Sequence, residues 1–299
     1  LGDVYKRQVQ KKAVQLTFHR CDGSTWQKTT LAKGSSYSLP GVRDAEGYTF
    51  MGWSTKPMQS VSPQYEAEEK ITVNGNVDLY AVVFNRTTET DLTEDQLPQV
   101  DIYKYKQVIF VGDSRTEFME NVLTGMGESA TKNVKFVCSA GKGLDWFTTT
   151  GWAQLYSIVQ HDSNSILSKK TAVIFNFGVN DLSKSADYAE YYNWIAPQLK
   201  SKGCELYFMS VNPVNRLMLP NAGRADRSEA AVRSFNQYMK ANLSSAYTYI
   251  DMYSYLKSTG YSFASDHYGT GTVDDGLHYT TRTYKRIFAK CMDSLRVPA

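Results

Sequence analysis

QVIFVGDSRTEF, residues 107–118, decides the fold. Its first half is a short, mostly apolar run that ends on a glycine. Its second half opens with Asp-Ser, residue types favoured where a helix begins. A buried strand running straight into a helix is one step of an alternating α/β chain, and the same step recurs downstream. The runs VKFVC (134–138), TAVIFNFG (171–178), ELYFMSV (205–211) and TYID (248–251) read as further strands. Amphipathic spacing predicts helices over 115–125, 146–161, 185–202, 226–242 and 279–295. Such alternation predicts a parallel sheet covered on both faces and joined by right-handed crossovers. Residues 106–299 therefore read as a three-layer α/β domain, whose site is expected at the carboxyl ends of the strands.

Upstream the pattern differs. Residues 13–85 hold β-rich runs, VQLTF (14–18), followed by the turn signal CDGS, EGYTFMGW (46–53), and ITVNGNVDLYAVV (71–83), in which NGN reads as a turn between two strand-like runs. They predict a small β-rich domain. Residues 86–105, RTTETDLTEDQLPQVDIYKY, are polar and read as a linker. The opening LGDVYKRQ resembles a translated adapter sequence and carries no fold signal. No signal peptide is visible in these residues.

Composition excludes several classes. With 42% hydrophobic and 21% charged residues, the 299-residue chain has enough apolar material for two cores. A net charge of +3, from 33 basic and 30 acidic residues, is too balanced to argue for nucleic acid or an anionic membrane. The longest apolar run, near residues 172–177, is far too short to span a bilayer. The four cysteines, Cys21, Cys138, Cys204 and Cys291, form no CxxC pair, so no zinc site and no other metal or cofactor is expected.

The strand ends carry the chemistry. Ser114 follows Gly112-Asp113 at a strand-to-helix turn, where its Oγ is exposed and its N–H lies at a helix N-terminus. Taken alone, a helix cap is the simpler reading of that serine. Asn180, in GVND (178–181), can aim an amide N–H at a developing oxyanion, although Asn-Asp is also a common turn. SAGKG (139–143) offers glycine amides after the second strand but lacks phosphate-loop spacing. Near the C-terminus, DDGLHY (274–279) spaces Asp275 and His278 so that one loop can hold the carboxylate against Nδ1 and leave Nε2 free as a base. Of the other histidines, His19 lies in the β-rich segment and His161 in a helix. His267, directly after Asp266, is the competitor, but adjacent residues rarely reach that geometry. Together these groups describe acyl transfer to water: Ser114 as nucleophile, His278 as base, Asp275 orienting it, and the Ser114 amide, a glycine amide and Asn180 as oxyanion donors.

These blocks resemble the SGNH (GDSL-like) hydrolase family: GDS at 112–114, a glycine at 141 or 143, GVND at 178–181 and DGLH at 275–278. The resemblance spans about residues 107–295. It implies a flavodoxin-like sheet of order 2-1-3-4-5, a Ser–His–Asp triad and a three-donor oxyanion hole. Two departures stand out. Arg115 follows the serine where the family name has leucine, and the second block lacks the usual N-x-G-x-S-G form. Gly143, just before Leu144-Asp145-Trp146, is the preferred donor, and Gly141 is the alternative. Residues 14–84 resemble the Listeria–Bacteroides repeat, a β-grasp cell-surface module of bacteria, through YSLP, EGYTFMGWST, Tyr65 and the closing strand. That resemblance implies a secreted or wall-associated protein, with Tyr48, Phe50, Trp53 and Tyr80 as core aromatics.

The resulting expectation is a secreted serine esterase acting on acylated carbohydrate, with a small-molecule or glycan ester as partner. A lipase or phospholipase and a non-catalytic surface-binding protein are the alternatives. Trp146 and Tyr279 flank the expected pocket and are candidate sugar-stacking residues. The mixed segment 212–227 borders it, and its Arg216, Arg224 and Arg227 read as solvated charges able to meet an acidic substrate.

Overall fold

The computed structural model describes residues 12–101, 104–161, 170–219, 227–265 and 274–295. His267, Asp266 and Arg224 lie outside these residues. The β-rich segment contains β1 (Ala13–His19), β2 (Thr25–Ala32), β3 (Ser35–Ser38), β4 (Tyr48–Ser54), β5 (Lys70–Val73) and β6 (Val77–Asn85). Four of them form a mixed sheet of order β2-β1-β6-β4, with β1 and β6 parallel, and β3 pairs with β5. Alternation along β1 turns Leu16 and Phe18 inward onto Trp53 and Leu79, as the two-residue period of a half-buried strand requires.

The α/β part contains β7 (Tyr105–Gly112), α1 (Ser114–Thr124), α2 (Glu128–Thr131), β8 (Val134–Cys138), α3 (Leu144–Trp146), α4 (Trp152–His161), β9 (Lys170–Asn176), α5 (Ser185–Ser201), β10 (Cys204–Met209), α6 (Glu229–Asn242), β11 (Tyr247–Ile250), α7 (Met252–Thr259), β12 (Phe263–Ser265), β13 (Asp274–Tyr279) and α8 (Thr281–Ser294). Strands β7 to β11 make one parallel sheet, β11-β10-β9-β7-β8. Counted from β7, this is the order 2-1-3-4-5. Both faces are buried, so successive residues of one strand serve opposite cores. Ile109 and Val111 of β7, with Val173 and Phe175 of β9, pack towards α4, α5 and α6. Val108 and Phe110, with Ala172 and Ile174, pack towards α1 and α8.

Three expectations need correction. The helix over 146–161 is interrupted: α3 passes through a wide turn at Phe147–Gly151 before α4. Thr148–Thr149–Thr150 is a poor helix run, and the Thr148 and Thr149 hydroxyls bond to the Asp145 carbonyl instead. The DGLH block lies on β13, which pairs with β12, rather than in a free loop. Residues 86–101 and 104–105 are docked rather than solvent-borne. Leu97, Val100 and Tyr105 are buried in the α1–α8 core. Glu89 is buried against Ser262, Thr283 and Arg286, and Asp91 meets Lys285. Polar residues looked like a linker because their partners lie nearly two hundred positions away. The β-rich segment joins the same core through Met51, Val82 and Phe84.

Candidate active site

Ser114 is the first residue of α1, and Asp113 caps the helix by accepting the Arg115 N–H at 3.0 Å. A first-turn amide has no intrahelical acceptor, so the helix itself makes no use of the Ser114 N–H. Gly112 is needed because a Cβ there would lie 2.0 Å from Thr116 Oγ1 and 2.9 Å from the Asn176 carbonyl. Burial pushes the Asp113 carboxyl up to about 6, against the pull of Arg115 and Arg227.

Ser114, Asp275 and His278 are brought together and buried, each 5% exposed or less. Ser114 Oγ lies 2.8 Å from His278 Nε2, and His278 Nδ1 lies 2.6 Å from Asp275 Oδ2. The other carboxylate oxygen of Asp275 accepts the N–H groups of Leu277 and His278, both at 2.7 Å. The turn between acid and base is thus tied to the acid itself. Gly276 has φ +68° there, and a Cβ on it would fall 2.3 Å from the Asn215 carbonyl. A carboxylate on Nδ1 fixes the proton at that nitrogen and leaves Nε2 to accept from the serine.

Asn180 follows β9 and the glycine loop follows β8, the two strands that flank β7, and their loops are stitched to each other across its carboxyl end. Asn180 Nδ2 donates to the Lys142 carbonyl at 2.7 Å, and the Leu144 N–H donates to Asp181 at 2.9 Å. Asn180 Oδ1 accepts from Arg227. Arginine has only donors, so this contact fixes which way the amide faces and keeps both Nδ2 hydrogens away from Arg227. Gly143 is extended and admits no side chain, since a Cβ would lie 2.3 Å from Asp181 Oδ2. Gly141 has φ +70° and open space around it. Burial raises the Asp181 carboxyl, while the Leu144 amide and the Tyr188 hydroxyl counter it.

Other expectations change. Tyr279 is 2% exposed, stacked on Phe263 and bonded through its hydroxyl to the Pro213 carbonyl at 2.5 Å. It is core, not a sugar platform. Trp146 is half-buried against Phe177. Arg227 is buried on Asn180 rather than solvated. His19 meets Asp78 within the β-rich segment. Two contributors had no sequence signal. Phe118, one turn along α1 from the serine, packs edge-on against the His278 ring at 4.6 Å. Arg115 is buried and donates to the carbonyls of Leu277, Asn212 and Pro213, each at 3.0 Å, with its guanidinium over the Tyr279 ring. Among the described residues no group of three His, Cys, Asp or Glu side chains could hold a metal, and no helix is long and apolar enough to cross a membrane.

A five-stranded parallel sheet of this order, covered by helices on both faces, is the SGNH hydrolase fold. The chain belongs to the GDSL-like lipase/acylhydrolase family, whose model matches residues 108–291, and the Listeria–Bacteroides repeat domain matches residues 15–82. Among solved structures it is similar to a Bacteroides fragilis protein described as an acylhydrolase, at 16% identity over 67% of this chain and 92% of that one, TM-score 0.44. It is also similar to an acetyl xylan esterase, at 10% identity over 64% and 100%, TM-score 0.41. The catalytic domain of a Streptococcus pneumoniae peptidoglycan O-acetyltransferase matches at 16% identity over 64% and 92%, TM-score 0.37. No curated protein matches the chain.

Proposed function

We propose that this protein is a secreted or surface-held serine esterase that removes short O-acyl groups, acetyl above all, from carbohydrate. The observation that carries the esterase reading is the unbroken line from Ser114 Oγ through His278 to Asp275, 2.8 Å and then 2.6 Å. Ser114 Oγ attacks the ester carbonyl as its proton passes to His278 Nε2, and Asp275 stabilises the imidazolium that forms. The Ser114 and Gly143 amides and Asn180 Nδ2 hold the oxyanion. Gly143 is preferred to Gly141 because its loop is bonded to the Asn180–Asp181 turn. The proton then passes to the departing alcohol, and water releases the acyl group by the same steps in reverse order. The Listeria–Bacteroides repeat, typical of extracellular bacterial proteins, supports the location and favours a surface glycan as the substrate.

A second reading has one observation behind it. An open cleft of 590 Å³ runs beside the base, lined by Phe118, Val122, Met126 and Ala264 on its apolar side. Such a wall suits a longer acyl chain. Purified protein should hydrolyse p-nitrophenyl acetate and acetylated glycans, and Ser114→Ala should lower kcat by about 10⁴-fold or more. An unchanged rate in that variant sinks the triad. A p-nitrophenyl ester series from acetate to laurate decides between the readings: a rate that rises with chain length favours the lipase.

A further inference from the structure

We infer that the N-terminal β-rich module is a positioning part of the hydrolytic site, acting on the Asp275–His278 turn through Asp44 and Asn215. The inference rests on the esterase reading. Asn215 lies in the loop after β10, in the α/β domain. Its side-chain amide gives both hydrogens to the other module, to the Val42 carbonyl at 3.0 Å and to Asp44 Oδ1 at 2.9 Å. Its backbone N–H goes the other way, to the Gly276 carbonyl at 2.8 Å. Gly276 is one of only two residues between Asp275 and His278. One residue therefore spans from the β-rich module to the catalytic turn with no intermediary.

Both ends of this link are stiff. The Asp44 side chain is fully buried, pairs with Arg86 at 2.6 Å and accepts the Phe50 N–H at 3.0 Å. Arg43, beside it, donates to the Leu217 carbonyl and pins the same loop two residues on. At the far end a Cβ on Gly276 would meet the Asn215 carbonyl at 2.3 Å and Met218 Cβ at 2.7 Å, so the two backbones are in close contact. A displacement of Asn215 must carry the turn, and with it the imidazole. Misplacing a reacting group by about 1 Å costs on the order of 10²-fold in rate. Asn215 and Asp44 touch no reacting atom, so their removal should lower kcat and leave KM in place.

The test uses the full chain. Asn215→Ala and Asp44→Ala should each lower kcat on p-nitrophenyl acetate by about 10- to 100-fold with KM within about threefold. Asp44→Asn keeps the oxygen that accepts from Asn215 but sets an amide N–H₂ against Arg86, so it should recover part of that loss. Asn215→Ser, too short to reach Asp44, should behave as the alanine variant and serves if the latter does not fold. The far-downfield proton resonance of the short His278–Asp275 hydrogen bond should weaken or shift in the alanine variants and return in part in Asp44→Asn, read without substrate. Folded alanine variants with kcat within twofold of wild type, or a loss confined to KM with that resonance unmoved, overturn the inference. Loss of the esterase reading would appear separately, as activity surviving Ser114→Ala.

Discussion

Arg115 follows Ser114, the proposed nucleophile, directly, and sequence gives no hint of its task. Its guanidinium meets three carbonyls, two of them about a hundred positions away and the third on Leu277 inside the Asp275–His278 turn. Among the described residues no carboxylate is ion-paired with this buried arginine, and its five donors in a fixed fork match three fixed acceptors instead. Lysine offers one ammonium on a flexible stem and cannot reach all three. Arg115→Lys should leave buried carbonyls unpaired, at about 1–3 kcal/mol each. We expect a melting temperature several degrees lower and a kcat reduced about tenfold or more, measured by thermal unfolding and ester hydrolysis. Unchanged melting would show that the three bonds do not hold the turn. The meeting of Ser114, Asp275 and His278, proposed above as the triad, was legible because GDS and DGLH are short local patterns. Arg115, Phe118 and Arg227 were not, because what defines them is a partner distant in the chain.

At the scale of elements, the inner strands β7, β9 and β10 were legible because both faces are buried and the runs are mostly apolar, while the edge strands β8 and β11 keep an exposed side, at Lys135 and Thr248. The start of α1 followed from Asp113-Ser114, whereas the starts expected at 226 and 279 fall short of the true ones, which the Ser228 and Thr280 caps set at Glu229 and Thr281. The small strands were harder. NGN at 74–76 does join two strands, but which sheet each enters is not written in it: β5 and β6 belong to different sheets, and Asn76 accepts the Gln15 N–H. β13 was hidden because Gly276, at φ +68°, breaks its regular pattern. That irregularity lets Asp275 fold back onto two amides of its own strand. Gly276→Ala would force a β-carbon into the left-handed region, at about 1–2 kcal/mol, and into the Asn215 carbonyl. We expect kcat to fall at least about tenfold, with a lower melting temperature. Wild-type kinetics in that variant would mean that the turn relaxes freely, against the packing described.

At the scale of the whole molecule, sequence divides the chain into a β-rich module, a linker and a hydrolase, while the structure joins them. Composition and periodicity cannot reveal that Met51, Val82 and Phe84 share a core with α1 and α8. Nor can they reveal the buried charges at the junction. Lys257 of α7 lies 2.9 Å from Glu66 of the β-rich module and 2.8 Å from Glu229 of α6, and it donates to the Met51 carbonyl. Burial works against the Lys257 charge, but the two carboxylates outweigh it and hold the ammonium well above its usual range. Glu66 is raised by burial, with Lys257 pulling it back down. Lys257→Met removes that counterweight and leaves Glu66 and Glu229 facing each other with only the more distant charge of Arg233 to offset them. The Glu66 carboxyl should then rise further. An acid raised in the folded state binds more protons folded than unfolded, so its stability contribution is lost as pH rises from the unfolded value of 4.5 through the folded one. The deficit of Lys257→Met should therefore be small near pH 5 and grow to about 3–5 kcal/mol at pH 8. Adding Glu66→Gln should recover part of it at pH 8 and little at pH 5. Urea unfolding at both pH values measures this, and it should proceed in one transition because the two modules share a core. An equal deficit at both pH values would show that lost packing, and not the unpaired carboxylates, is what the variant suffers from.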